Sequence, residues 1–469
     1  MRYVRVLVPS LAALATGLLL FVSDHPLRAW WLQFVAFVPW WLALAAHHRA
    51  GRHLWPLGAL LACGNALPLL FVLGTAPPIV VAVAAAVLQW MLIAMVAGRL
   101  FVRSPVLGAL GAAGAVTVLE IITWHAVPLF GTAQCFARPL GYAPAVIGFI
   151  AWTGVAGLVF VSTAVQALLA NALLAQRRAP PLLVAAGLVI AAAAVDVVRW
   201  NRPLGESLRV AAYGWGADGP SDEQGTVAWL DKVIGAAKVV GARLVVTPET
   251  GFGTGADVAK AAAAFGDLAR KHLMTLALGV WHTPTRDNRI WFFGDDGVHE
   301  AEYRKTHLVP WIELYTAGDG TLARAAIGGV PFGGMICQDD NFTDIARGYG
   351  RDAMPLLAVP TNDWPSIRFA HFDNARLRAI ENGYAIVRAA SNGISAIVSP
   401  RGEVLVSEDH HEIGRKLIVD DVPLGYGSVT PYARFGDWPM LVLALLAIAI
   451  ASRYRSPEPT TSHVAQAIS

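Results

Sequence analysis

Three stretches, LRVAAYGW (208–215), ARLVVTPE (242–249) and MTLALGVWH (274–282), decide how this chain is read. Each is a short apolar run of strand length, and the segments between them carry a helical period. SDEQGTVAWLDKVIGAAKVVG (221–241) predicts a helix with Ser221 as N-cap, Gln224 closing a capping box and Gly241 at its end. ADVAKAAAAFGDLARKH (256–272) predicts a second, alanine-rich helix. Strands alternating with helices imply an α/β layered domain.

The pattern continues to both sides. RIWFFGDDGVHEAEYRK (289–305) predicts a hairpin about a Gly-Asp-Asp-Gly turn, and GGMIC (333–337) a strand followed by helix-compatible sequence. MPLLAVP (354–360), YAIVRAAS (384–391) and ISAIVSPRGEVLV (394–406) read as further strands, with RFAHFDNARLRAIENG (368–383) as a helix. The domain assigned to residues 201–437 is large enough for one sizeable core.

What precedes it is different. The whole chain is 55% hydrophobic and only 15% charged, where soluble domains average about 25% charged. The excess sits in long runs over residues 1–200 and once more at 438–452. A bilayer core requires about 20 apolar residues in helical form. Spans are expected at Val4–Val22, Trp30–Ala45, Leu54–Gly74, Pro77–Gly98, Pro105–Pro128, Pro144–Ala175 and Pro180–Trp200, about seven helices, with a last one at Trp438–Ser452. A cleaved signal peptide is the weaker reading of the first span, because no small-x-small site follows it.

Arginine placement sets the expected orientation. With the N-terminus in the cytoplasm, Arg2, Arg5, Arg49, Arg52, Arg99, Arg103, Arg177, Arg178, Arg453 and Arg455 share that side. Only Arg28 and Arg138 fall in short loops opposite, while Arg199 and Arg202 stand against the rule. Residues 201–437 are thus expected outside a bacterial cytoplasmic (inner) membrane, and 453–469 as a cytoplasmic tail, its polar end SPEPTTSHVAQAIS (456–469) disordered. The net charge of +3 leaves no basic stripe for nucleic acid.

Polar residues at strand ends are where α/β domains hold their chemistry. Glu249, Lys305 and Cys337 each end a strand. A thiol needs a base or a positive field before it attacks a carbonyl. A carboxylate can take its proton, and an ammonium can hold the thiolate and the oxyanion that follows. Cys337 is the only cysteine of this domain, so it cannot form a disulfide within it; a buried small hydrophobe is the bland alternative.

TPETGF (247–252), YRKTHLVPWIE (303–313) and GGMICQDD (333–340), in that order, resemble the Glu-Lys-Cys signature of the carbon–nitrogen hydrolase (nitrilase) superfamily. With several apolar spans before the domain and one after it, the architecture resembles the apolipoprotein N-acyltransferase family. TNDW (361–364) and the run from Ala375 to Gly402 resemble that family's C-terminal catalytic half. The resemblance implies a multi-span α-helical membrane domain joined to a nitrilase-like αββα sandwich. It implies Glu249 as general base, Lys305 as stabiliser of thiolate and oxyanion, and Cys337 as nucleophile, with Glu313, Asp339 and Asn288 in support. It also implies the reaction: a fatty acyl group passes from a phospholipid to the Cys337 thioester, then to the N-terminal amine of a diacylglyceryl-cysteine lipoprotein.

Trp311 and Trp364 head apolar loops that could meet lipid chains, although ordinary packing explains them equally. Asp339 stands where the family usually has glutamate, and YGWGADGPSDEQG (213–225) and TNDWPS (361–366) depart from family loops. These differences touch the identity of donor and acceptor rather than the thiol chemistry. The competing enzyme reading is a membrane-tethered amidase or nitrilase that passes the acyl group to water. A scaffold with a dead hydrolase domain, or a transporter, would use neither thiol nor base. No cofactor is expected. His282, His307, His371, His410 and His411 lack metal-ligand spacing, Glu120, Asp196 and His125 read as locally satisfied residues near span ends, and Gly251, Gly253 and Gly255 as a mobile loop.

Overall fold

The computed structural model describes residues 4–25, 27–127, 129–216, 226–414 and 416–454. Ser221 and Gln224 lie outside the described residues, as does 456–469.

The amino-terminal part is helical: α1 (Val4–Asp24), α2 (Val38–Arg49), α3 (Trp55–Asn65), α4 (Leu69–Leu73), α5 (Pro77–Phe101), α6 (Leu107–Ala126), α7 (Ile150–Leu174) and α8 (Ala179–Trp200). Among the described residues, six helical stretches are long and apolar enough to cross a membrane, α3 and α4 together making one of them. This is the architecture of a multi-pass membrane protein. Over the expected span Trp30–Ala45 the chain forms a 3-10 turn at Trp30–Phe34 and the 12-residue α2 in place of one continuous helix. The expected span Pro144–Ala175 is likewise divided, with a 3-10 turn at Pro144–Val146 before α7.

Helix–helix contacts here rest on small residues, because apolar burial offers no net drive inside lipid. A Cβ added at Gly111 or Gly114 of α6 would strike Ala444, Ala447 or Ala451, residues of the final helix at Trp438–Arg453. The alanine face of that 16-residue helix therefore seats directly on the α6 backbone.

Among its described residues the second part holds thirteen strands: β1 (Ser207–Gly214), β2 (Leu244–Val246), β3 (Phe252–Gly253), β4 (Thr275–His282), β5 (Asp287–Phe293), β6 (His299–Arg304), β7 (Ala325–Ile327), β8 (Val330–Gly334), β9 (Leu356–Asn362), β10 (Ala385–Ser391), β11 (Ile394–Val398), β12 (Val404–Asp409) and β13 (Lys416–Pro423). One sheet runs β13-β1-β2-β4-β5-β6, with β3 beside β4; the other runs β12-β11-β10-β9-β8-β7. Side chains alternate between two cores, as the two-residue strand period requires. Val210 and Ala212 of β1, and Ile290 and Phe292 of β5, face the core shared with the second sheet. Ala211, Trp291 and Phe293 face the opposite way, onto helices α9 (Val227–Val239) and α10 (Val258–His272). Helices α11 (Thr343–Arg351) and α12 (Arg368–Asn382) lie on the second sheet, completing the αββα sandwich expected from the sequence.

Two local expectations are corrected. The N-cap of α9 is Thr226, whose hydroxyl accepts from the Trp229 N–H, so the helix starts later than the Ser221 reading. The residues directly after Cys337 form a short 3-10 turn, Cys337–Asn341, and the α-helix begins only at Thr343. Any dipole of a full α-helix is thus displaced from the thiol.

The two parts are joined by polar contacts as well as packing. Arg28 pairs with Asp373 at 2.9 Å, the Thr132 hydroxyl donates to the Asn341 carbonyl at 2.9 Å, and the Gln338 amide donates to the Leu129 carbonyl at 2.7 Å. Two of these three partners in the α/β part lie within four residues of Cys337.

Candidate active site

Glu249 follows β2, Lys305 follows β6 and Cys337 follows β8, so the three come together at one edge of the sandwich. All three are buried. The Lys305 ammonium donates to Glu249 Oε1 at 2.7 Å and to Glu313 Oε1 at 2.6 Å. Asn288 Nδ2 also donates to Glu249 Oε1, at 2.6 Å, and the Asn362 backbone N–H donates to Oε2 at 2.8 Å. The second oxygen of Glu313 accepts from the Val309 N–H at 2.7 Å, which folds the loop after Lys305 back onto the site. Glu249, Lys305, Cys337, Glu313 and Asn288, five residues chosen from the sequence, are therefore one contact network.

Burial raises the Glu249 carboxyl above its ordinary range against the opposing pull of Lys305, with the Glu313 charge adding to the rise. Burial opposes the charge of Lys305, but the carboxylates of Glu249 and Glu313 hold it firmly as an ammonium. Burial and the Glu249 carboxylate push the Cys337 thiol well up. Cys337 thus rests as a neutral thiol, within hydrogen-bonding reach of Glu249. A neutral thiol in such a site can attack only if its proton passes to a neighbouring base, and that carboxylate is placed to take it.

Cys337 sits at φ +46°, a left-handed conformation that a residue with a Cβ rarely adopts. Strain of this sort costs about 1–3 kcal/mol and persists only where the surroundings enforce it. Two sets of contacts do so. On one side Asp339 Oδ2 accepts from Tyr303 Oη at 2.9 Å and the Ile336 N–H at 3.1 Å. Its Oδ1 accepts from the Thr306 and His307 N–H groups at 3.2 and 2.7 Å. Asp339 therefore ties the cysteine turn to the backbone just past Lys305. His307 bridges Asp339 and Asp344, and although burial opposes it, those carboxylates bring its pKa up to about 9.

On the other side lies a quartet the sequence did not disclose: Asp340, Asp363, His371 and Arg388, all buried. Arg388 pairs with Asp340 at 2.8 Å and with Asp363 at 3.1 Å. His371 bridges the same two acids at 2.9 and 2.5 Å, and its Nε2 lies 3.2 Å from the Cys337 carbonyl. Burial disfavours its charge, yet the two acids raise it to about 9, so two cations offset two anions. A charge-balanced cluster of this kind avoids the several kcal/mol that a lone buried charge costs. Its one sequence signal was a charged residue, Arg388, inside the apolar run YAIVRAAS (384–391).

Residues beside the thiol, though not Cys337 itself, line a cavity between the two parts of the molecule. Gln338, Asn341, Trp364 and His371 form one wall. Leu69, Ile79, Val83 and Trp90 of the helical part form another, and Gln89 and Glu120 add polar groups. Trp364 packs against Ala66, Ile79 and Val83, so the structure brings it to the cavity. Trp311 is 56% exposed at φ +61° on the loop after Lys305, and it is not among the cavity-lining residues. No group of three or more His, Cys, Asp or Glu side chains among the described residues could hold a metal ion.

Residues 209–432 match the family model described as carbon-nitrogen hydrolase. The chain is 31% identical over 170 residues to the apolipoprotein N-acyltransferase of Rickettsia bellii (strain RML369-C), covering 32% of this chain and 34% of that one. It is 30% identical over 192 residues to the enzyme of the same name from Bradyrhizobium diazoefficiens, covering 36% and 35%. For that of Methylococcus capsulatus the identity is 27% over 348 residues, covering 65% and 66%. The matches thus span about a third of the length of the first two relatives and just under two thirds of the last. Among solved structures, an amidase from Nesterenkonia sp. is 24% identical with a TM-score of 0.42, covering 48% of this chain and 94% of that one.

Proposed function

We propose that this chain, whose residues 209–432 form a carbon–nitrogen hydrolase domain, is an acyltransferase that moves a fatty acyl group from a phospholipid to the N-terminal amine of a diacylglyceryl-cysteine lipoprotein. The observation that carries the reading is the cavity: Gln338, next to the buried thiol, shares its lining with Leu69, Ile79 and Val83 of the membrane helices. Apolar walls such as Leu69, Ile79 and Val83 suit an acyl chain, and Trp364 would line its path. The relatives named above are apolipoprotein N-acyltransferases by name.

In this reading Cys337 Sγ attacks the donor ester carbonyl while Glu249 takes the thiol proton. Lys305 stabilises the oxyanion, held in place by Glu313, and Asn288 fixes the Glu249 carboxylate. Collapse breaks the ester C–O bond. The lysophospholipid alkoxide leaves with the proton from Glu249, and the acyl group remains as a Cys337 thioester. The acceptor's neutral amine then attacks, Glu249 takes its proton, the C–S bond breaks and the thiol is restored. Water competes poorly because the site is buried.

The experiment combines purified protein, phospholipid and a synthetic diacylated lipopeptide with a free α-amine. A triacylated product is expected by mass spectrometry, with none from the N-acetylated peptide. Release of free fatty acid instead, at the same rate with or without the amine, would make the protein a lipid hydrolase. Inertness toward phospholipid together with cleavage of a small soluble amide would leave the amidase reading.

The chemistry also requires a location. We place residues 201–437 outside a bacterial inner membrane, 438–452 back across it, and 453–469 in the cytoplasm, on the strength of the arginine distribution. Alkaline phosphatase joined after residue 260 is expected to be active, and joined after Arg178 inactive. The opposite pattern would remove the lipoprotein reading, because mature lipoprotein acceptors would then stand on the other side.

A further inference from the structure

Arg199 and Arg202 oppose the arginine rule, and nothing in the acyl-transfer site uses them. Arg199 is buried near the end of α8, and its Nη2 donates to the Pro400 carbonyl at 2.5 Å. Arg202 Nη2 donates to Ser428 Oγ at 2.5 Å, and its guanidinium lies 4.6 Å from the centre of the Tyr426 ring. A third arginine joins them from the β11–β12 turn. Arg401 donates to the Arg202 carbonyl at 2.9 Å and covers the Trp200 ring at 5.3 Å. Every one of these partners is neutral. Among the described residues no carboxylate lies within ion-pair distance of the three, and Arg199 Nε and Nη1 and Arg401 Nε make no hydrogen bond. Asp196 and Glu403 stand farther off, so two carboxylates face three guanidiniums and the cluster keeps a positive charge.

Directly below runs an open groove between α7 and α8 on the membrane side. Val161, Val165, Val189, Ala193 and Val197 line it, Asp196 adds one carboxylate, and Trp200 and Asn201 close the end where the arginines stand. Arg401 stacks on that same Trp200, so charge and groove are continuous. A mostly apolar channel, ending beside guanidiniums that outnumber the carboxylates near them, matches one chemistry: an acyl chain leading to a phosphodiester. The cavity beside Cys337 shares neither α8 nor these arginines.

We infer that Arg199, Arg202 and Arg401 form a binding site for an anionic phospholipid, distinct from the acyl-transfer site, with one acyl chain in the α7–α8 groove. Such a lipid would bridge the last amino-terminal membrane helix to the Ser399–Gly402 turn of the α/β domain. It would hold that domain in register with the bilayer.

Native mass spectrometry of the full-length protein in detergent tests this, in a Cys337→Ala background so that no lipid can be consumed. Dioleoyl phosphatidylglycerol is offered against dioleoyl phosphatidylcholine, whose chains are identical. One phosphatidylglycerol should be retained at least tenfold more tightly than the choline lipid. An interfacial arginine contributes about fivefold, so Arg202→Gln with Arg401→Gln should weaken retention by roughly 25-fold. Ala193→Trp, which fills the groove without touching the charges, should weaken it independently, and inorganic phosphate alone should not displace the lipid. Equal retention of the two lipids, or full retention by the double arginine variant, overturns the proposal. Displacement by inorganic phosphate with no effect of Ala193→Trp would make this a free-anion site and overturn the lipid assignment. Loss of acyl transfer, by contrast, would leave this outcome unchanged.

Discussion

Protein carrying Cys337→Ala is expected to form no acyl adduct with phospholipid and to yield no triacylated lipopeptide, while the unsubstituted chain gains one acyl mass on the Cys337 peptide. The loss should be complete, because in the proposed reaction the acyl group is handed on through the bond this sulfur makes. Folding should survive. The thiol lies 3.7 Å from the Asn362 carbonyl, a long contact, and the strained turn is held by Asp339 and His371 rather than by the sulfur. Removing one buried heavy atom costs about 1 kcal/mol, a shift of a few degrees in melting temperature. Neutral hydroxylamine should strip the adduct from the unsubstituted protein, as expected for a thioester. Near-normal turnover by the alanine variant would eliminate the thiol mechanism.

The sandwich and the clustering of its candidate site residues were legible in the sequence for the same reason. Strands β2, β6 and β8 each run out just before a polar or thiol residue, and in this fold all three stop at one edge. Asn288 and Glu313 followed from the resemblance, and their side chains do meet Glu249 and Lys305. The quartet beneath the thiol was not legible. Asp340, Asp363, His371 and Arg388 come from a 3-10 turn, the end of β9, α12 and β10, with no spacing in common. Only tertiary packing makes them one object, and His371 alone looked like an isolated histidine.

In the helical part, hydropathy did not mark where a helix is interrupted. Over Trp30–Ala45 a 3-10 turn precedes the short α2, whose Trp40 and Trp41 are fully buried. Hydropathy reports dislike of water, and an apolar run satisfies it whether or not its backbone is one continuous helix. The Asp339 departure also acquires a meaning. Its carboxylate reaches the backbone of Thr306 and His307 and not Lys305 itself. A shorter side chain at that position therefore bears on how closely the lysine loop is drawn to the cysteine turn.

Replacing Lys305 should be nearly as damaging as replacing the thiol, and in a way that pH exposes. Glu249→Gln removes the base and should slow acylation by about two to four orders of magnitude at every pH. Lys305→Met removes an oxyanion donor, worth about two to three orders. It also strips the shared cation from two carboxylates that it holds at 2.7 and 2.6 Å. Without that charge the Glu249 carboxyl, already raised by burial, must rise further. A protonated base cannot accept the thiol proton, so the residual rate of Lys305→Met should climb as pH rises through the new value. The same rate in Glu249→Gln should stay flat, having no base to titrate. Adding Glu313→Gln to Lys305→Met removes one of the two repelling charges, which lowers the Glu249 carboxyl again and should move the climb to lower pH. Single-turnover adduct formation, followed by mass spectrometry across pH, reads all three. A Lys305→Met profile parallel to that of Glu249→Gln would mean that the ammonium acts on the oxyanion alone and does not poise the base.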